Sequence, residues 1–221
     1  MKRFKMPWRS LQTRVTLFAL LACVAGIWTL SWLANQALRE DMRELLGEQQ
    51  FSAVSLLAGE INLAIDERLS ALEKVAAEVH PGMMGDAAAL QGLLEHRPVF
   101  QSLFNGGALV VGMDGTVLAD VPRATGRIGL NVMRSDAVAS ALRQGKTSVG
   151  QPMLGRVVQA PVFGMAAPIR DAKGRVIGAL TGITMLGQPN LLDAVVNHRY
   201  GKSGGFVLLL PSARLVITAT D

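Results

Sequence analysis

Hydrophobic and polar positions divide this chain into stretches with different periods. From Val15 to Ala34, twenty consecutive positions are uncharged and mostly apolar. A helix rises about 1.5 Å per residue, so this run predicts a helix that spans the roughly 30 Å hydrocarbon core of a bilayer. Beyond it the apolar positions thin to a stripe: Leu38, Met42, Leu45, then Val54, Leu57, Ile61, Ile65, Leu69, Leu72, Val75 and Val79, mostly at steps of three and four. Glu60, Asp66, Glu67, Glu73, Lys74 and Glu78 fall mostly off that stripe, which predicts one long amphipathic helix over 35–80. At about 65 Å it is too long for a compact domain of its own, so it is expected to lie beside several elements or a twin helix. His80-Pro81-Gly82 is expected to end it. A second helix begins with Asp86 as N-cap and runs to Glu95.

From Gly106 the period changes to that of strands. Ala108–Val111 and Thr116–Ala119 are apolar runs joined by Met113-Asp114-Gly115, a hairpin signal. Asp136–Gln144 reads as a short helix. Val157–Ile169 and Arg175–Met185 read as two strands joined by Asp171-Ala172-Lys173-Gly174, with Pro161 and Pro168 marking bends or an edge position in the first. A short helix is expected over Leu191–Arg199. Gly204–Leu210 and Leu215–Thr218 then form a last hairpin around Pro211-Ser212-Ala213-Arg214. The order of elements is α+β: a long helix, an antiparallel sheet with a helical crossover, and a terminal hairpin that is marginal alone in water. It reads as the opening of a second, similar module.

Charge fixes how the apolar run is used. Lys2, Arg3, Lys5, Arg9 and Arg14 precede it and no acid does, so the positive-inside rule holds the N-terminus in the cytoplasm and puts Asn35–Asp221 outside. A cleaved signal peptide is the competing reading, but its apolar stretch is usually shorter, and Ala34-Asn35-Gln36 lacks the small-x-small spacing of a cleavage site. Trp28 and Trp32 suit the outer interface of a retained anchor. Cys23, the only cysteine, lies inside the anchor, so no intramolecular disulfide can form. The sequence pI near 9.9 suggests nucleic acid until the tail is removed. Five of 22 Lys+Arg lie in that tail, leaving 17 against 17 Asp+Glu, so the exported part is neutral and no nucleic-acid partner is expected. Within it, 35–104 is acidic and 105–221 basic. The basic half either attracts an anionic ligand or faces the acidic half of its own fold.

No motif assembles an active site. Gly201-Lys202-Ser203-Gly204-Gly205 has the letters of a hydrolase elbow, but a strand rather than a helix is expected after the serine. Gly145-Lys146-Thr147 resembles the end of a phosphate loop whose upstream glycine is replaced by Ser140. His80, His96 and His198 are too scattered for a metal, and Asp114, Asp120, Asp136 and Asp171 read mostly as turn residues. No catalytic residue, metal or cofactor is expected. The methionines from Met83 to Met185 are core fillers by default, with Met153 and Met165 able to line a cavity.

Several segments together resemble the double Cache periplasmic sensor domain of bacterial transmembrane signalling proteins. They are the basic tail, anchor and long helix; Met113-Asp114-Gly115-Thr116-Val117-Leu118-Ala119; Arg134; Pro168-Ile169-Arg170-Asp171-Ala172-Lys173-Gly174-Arg175-Val176-Ile177-Gly178; and Tyr200-Gly201-Lys202-Ser203-Gly204-Gly205-Phe206-Val207-Leu208. The resemblance implies a cytoplasmic tail at 1–14, a transmembrane helix at 15–34 and a signalling helix at 35–80. A membrane-distal, PAS-like Cache module would occupy 81–187, and 188–221 would form a linker helix and the first hairpin of a membrane-proximal module. It implies a small extracellular ligand, a homodimer through the long helix, and a cytoplasmic output beyond this chain: cyclic di-GMP turnover, a histidine kinase or a chemoreceptor rod. Where the family often shows acid–Arg–x–aromatic–aromatic, this chain reads Met133-Arg134-Ser135-Asp136-Ala137 and keeps only the arginine. The amino-acid-binding branch uses an aspartate at a position that here corresponds to Ile183, and isoleucine cannot compensate an ammonium. Amino-acid sensing is therefore disfavoured. Arg134, Asp136, Arg156 and Gln159 are the expected polar ligand contacts; Arg134 alternatively pairs with Asp120 or Asp136 to fix the crossover. The competing function is a membrane-anchored interaction or dimerisation protein with no small-molecule ligand.

Overall fold

The computed structural model describes residues 11–123, 126–155, 157–193, 195, 199–200, 204–205, 207–210 and 215–219. They fall into two compact units, 1–54 and 55–221. In the first, the opening part of α1 (Leu11–Ala76) includes Arg14–Gln36, a segment long and apolar enough to cross a membrane. Phe18, Leu21, Ile27, Trp28 and Trp32 are all exposed there. A helix that is apolar all round has no polar face to turn to water, and suits a lipid environment.

In the second unit the remainder of α1 carries the apolar stripe. Leu57, Leu72, Val75 and Ala76 are buried from it. The helix ends at Ala76, four residues before His80, because its last turn tightens. Glu78 and Val79 donate to the carbonyls three residues back, Val75 at 3.1 Å and Ala76 at 3.3 Å. Pro81 disfavours helical geometry in His80 before it, so the helix does not resume after that turn. A single 3-10 turn at Met83–Gly85 leads to α2 (Ala87–Glu95). Asp86 caps α2 by accepting from the amides of Ala88 at 2.9 Å and Ala89 at 3.1 Å, as its position predicts. A short α3 (Val99–Leu103), for which the apolar period gave no sign, follows.

The sheet is built from β1 (Ala108–Gly112), β2 (Val117–Val121), β3 (Ser148–Val149), β4 (Met153–Leu154), β5 (Pro161–Arg170) and β6 (Val176–Met185), with α4 (Asp136–Gln144) between β2 and β3. Its order is β2-β1-β6-β5-β3, all antiparallel, with β4 also pairing β5. Both faces are covered. Ala108, Val110, Met165, Ala167 and Leu180 pack with Leu72, Leu90, Leu94, Phe100 and Phe104 of the helices on one side. Leu109, Val111, Ala166 and Ala179 pack with Ala137, Val138, Ala141 and Leu142 of α4 on the other. Alternate residues along each strand therefore serve opposite faces, which is why β1 reads as an unbroken apolar run.

Two expected boundaries move. β5 starts at Pro161 instead of Val157, because 155–160 closes into a turn with Gly155 N–H donating to Ala160 O at 2.9 Å. Pro168 keeps its place in the strand because β3 pairs only Met165 and Ala166, leaving the outer edge at Pro168 without a strand to receive an N–H. Of the helix expected over Leu191–Arg199, Leu191 and Leu192 lie in a turn, Asp193 and Val195 are helical, residues 194 and 196–198 lie outside the described residues, and Arg199 belongs to β7 (Arg199–Tyr200), paired with β8 (Gly204–Gly205). β9 (Val207–Leu210) and β10 (Leu215–Ala219) form the last hairpin, whose expected turn at 211–214 lies outside the described residues.

Candidate ligand-binding site

On the α4 side of the sheet, short residues leave a gap that the helix does not fill. Gly164 of β5 has no side chain, and α4 presents only Ala137 and Val138 near its start. The result is a cavity of about 120 Å³ beside the first turn of α4. Leu109, Val162, Gly164, Thr181 and Ile183 form its floor on the sheet. That size is close to the roughly 150 Å³ apolar cavity that accepts benzene.

One wall is the crossover that links β2 to α4. It is held against the β1–β2 turn by main-chain bonds, Val117 N–H to Leu130 O, Gly129 N–H to Val117 O and Val132 N–H to Gly115 O, each at 2.9 Å. Asn131 fastens the same corner, donating from Nδ2 to Asp114 O at 2.7 Å and accepting from Met133 N–H at 3.1 Å. Asp114 in turn accepts from the hydroxyl and amide of Thr116, which holds its carboxyl below the usual carboxylate range. The wall delivers Arg127, Leu130, Val132, Arg134 and Ser135 to the cavity.

The two arginines differ in their state. Arg127 is 5% exposed and committed: its Nη2 lies 2.5 Å from Asp120 Oδ1, its Nε 3.1 Å from both carboxylate oxygens, and its Nη1 donates to Gly106 O at 2.8 Å. Gln91 locks the main chain of Asp120 from α2, donating to its carbonyl at 2.8 Å and accepting from its amide at 3.1 Å. This overturns the expected Asp120–Arg134 pair, since Asp120 already holds Arg127. Arg134 sits exposed at the rim and forms no ion pair among the described residues.

The remaining wall is the turn between β4 and β5, which brings Met153, Leu154, Gly155, Val157 and Val158 over the cavity. Leu154 is 68% exposed although it lines the cavity. This side of the site is a thin apolar flap, paired with β5 through Met153↔Val162 and Leu154↔Pro161.

Of the four expected contacts, Arg134 lines the cavity. Asp136 is exposed as the first residue of α4, where a carboxylate complements the helix dipole, and is not part of the lining. Gln159 is exposed in the flap turn at φ +48°, a left-handed position, and its side chain is not in the lining either. Arg156 lies outside the described residues. Among the described residues the lining contains no carboxylate, and no group of three or more His, Cys, Asp or Glu gathers as a metal site. Sequence reasoning missed Thr181, although its place two residues before Ile183 on one strand face was a usable signal. Arg127 had no such signal, because Asp120, Gly106 and the crossover meet only in the folded chain.

No protein-family model matches the chain, and no curated protein matches it. Solved structures do. The ligand-binding domain of the Pseudomonas fluorescens chemoreceptor CtaA, in complex with L-serine, superposes with a TM-score of 0.62 at 19% identity, covering 81% of this chain and 72% of that one. The ligand-binding domain of the Pseudomonas aeruginosa PAO1 amino acid chemoreceptor PctC, in complex with GABA, gives 0.53 at 22% identity over 63% of this chain and 65% of its own. That of PctB from the same organism, in complex with L-Arg, gives 0.53 at 20% identity over 66% and 59%. The chain thus spans less than two thirds of the PctC and PctB domains. What is common to all of them is the α+β fold: this chain folds as chemoreceptor ligand-binding domains do.

Proposed function

We propose that this chain is the sensing region of a membrane-anchored receptor, and that its cavity binds a small organic anion. The anchor is 15–34, with 1–14 cytoplasmic and 35–221 on the outer side. Residues 81–187 form the sensing module, and 188–221 open a second module of the same kind. The output follows in the longer protein and drives cyclic di-GMP turnover, a histidine kinase or a chemoreceptor rod. The fold shared with chemoreceptor ligand-binding domains supports the sensing role. Phe51, Val54, Leu56 and Leu63 are exposed on α1 and support pairing of that helix with a second copy.

One observation carries the ligand assignment. The cavity is apolar apart from Arg134 at its rim and a few uncharged groups, its other arginine is already neutralised by Asp120, and no carboxylate lines it among the described residues. A planar guanidinium with no ion-pair partner there takes a carboxylate with two parallel hydrogen bonds. Ligand binding would close the flap and shift the population of the sensing module towards one form, which biases α1.

Thermal unfolding of the full chain in lipid nanodiscs tests this, with butyrate as the anionic probe and butyramide as its neutral match. Saturating butyrate at about a hundred times its Kd stabilises by about 2.7 kcal/mol; butyramide does not. Arg134→Ala is expected to weaken butyrate at least tenfold, in line with about 1.5–3 kcal/mol for a hydrogen bond to a charged group. A butyrate response that Arg134→Ala leaves intact sinks the assignment. Absence of any response favours the anchored dimerisation protein instead.

A further inference from the structure

Thr181 lies at the floor of the cavity, 3% exposed, on the face of β6 that also carries Ala179 and Ile183. Its main chain is fixed by its neighbours, Leu109 of β1 and Ala166 of β5, so the residue cannot turn away without breaking the sheet. Its Oγ1 is fully buried and has no hydrogen-bond partner among the described residues. A buried hydroxyl left unpaired costs about 1–3 kcal/mol, and valine would fill the same volume without that cost. The hydroxyl therefore sits where the fold gains nothing from it, on a residue that lines the cavity, where rotation about χ1 would bring it to a bound ligand.

Resting on the reading of the cavity as an anion site, we infer that Thr181 is its specificity-determining residue. The ligand class is a small hydroxy- or oxo-acid, with its carboxylate at Arg134 on the rim and an uncharged polar group on Thr181 at the floor. The hydroxyl can donate to a carbonyl or exchange hydrogen bonds with an alcohol. It cannot neutralise an ammonium, and no carboxylate in the described lining does so. An unsubstituted fatty acid binds but leaves Oγ1 unpaired. Selection against it follows from that orphaned group, as for any site built around a substrate hydroxyl.

The test is calorimetric titration of the full chain in nanodiscs with four-carbon probes: butyrate, its α-, β- and γ-hydroxy derivatives, and γ-aminobutyrate. At least one hydroxybutyrate is expected to bind about five- to tenfold tighter than butyrate, and γ-aminobutyrate more weakly than its hydroxy counterpart. Thr181→Val should remove the hydroxy preference, hold butyrate affinity within about twofold, and keep or raise the melting temperature without ligand. Thr181→Ser, which retains the hydroxyl, should keep the preference. Equal binding of butyrate and every hydroxybutyrate by the native chain overturns the inference while the anion site stands. So does a preference that Thr181→Val leaves unchanged, or γ-aminobutyrate binding as tightly as the best hydroxy acid. If no acid binds at all, the anion reading fails and this inference with it.

Discussion

Asp171 shows how far a single side chain can be read before the fold is known. In the sequence it reads as the first residue of the turn Asp171-Ala172-Lys173-Gly174. In the structure it accepts from the amides of Lys173 and Arg175, each at 2.9 Å, and from Arg175 Nε at 2.8 Å. The hydrogen bond from the Arg175 main chain leads in holding its pKa below the usual carboxylate range, and the side-chain bond and charge of Arg175 add to it. A carboxylate with a depressed folded pKa stabilises the fold above its unfolded value of about pH 4, and that stabilisation disappears as pH falls from there through the folded pKa. Urea midpoints should therefore drop on acidification below about pH 4, with Asp171→Asn following a flatter curve over that range. Coincident curves for the two proteins would show that the turn contributes no such linkage. Arg134 is the opposite case at this scale. Its identity was legible, its partnership was not: Asp120 was available on paper to either arginine, and only the path of the crossover gave it to Arg127.

At the scale of elements, the long helix, the Asp86-capped helix, α4 and the first hairpin were legible because each carries a local signal: period, cap or turn. α3 and the two-residue strands β3 and β4 were not, since elements so short exist only through their neighbours. β6 illustrates the tighter constraint. Its Gly182 faces Phe104, and a Cβ at that position would come within 2.3–2.5 Å of the ring. Phe104 is itself almost fully buried against the sheet, so the ring has nowhere to retreat. Gly182→Ala is expected to cost about 1–3 kcal/mol, the usual penalty of overpacking. Chemical denaturation measures it directly, and an unchanged midpoint would mean that the ring relocates at no cost.

For the molecule as a whole, one buried cluster links elements that are distant in sequence within the unit 55–221. Asp120 holds Arg127 of the crossover, Gln91 of α2 holds the Asp120 main chain, and Arg127 reaches back to Gly106 before β1. Asp120→Ala strands a buried guanidinium beside the cavity and is expected to destabilise by about 3–5 kcal/mol. Replacing both charges together, Asp120→Leu with Arg127→Met, should recover most of that loss, because an apolar pair needs no compensation. A double variant no more stable than the single one would show that the hydrogen bonds to main chain, rather than charge pairing, join these elements.

The sequence by itself determined the apolar N-terminal helix, the α+β order and the helical and strand periods, because hydrophobic spacing, caps and turn residues act over a few positions of chain. It also placed Arg134 on the crossover and an isoleucine at position 183. Tertiary structure alone decided which residues share the cavity. The floor is assembled from β1 and the β5–β6 hairpin, which are far apart in sequence, and the flap folds over it from a turn whose last residues, from Val157, the sequence read as strand. Arg127 is neutralised there and Thr181 is left with an unpaired hydroxyl because side-chain partnership depends on which backbones the sheet brings together, and no local pattern encodes that.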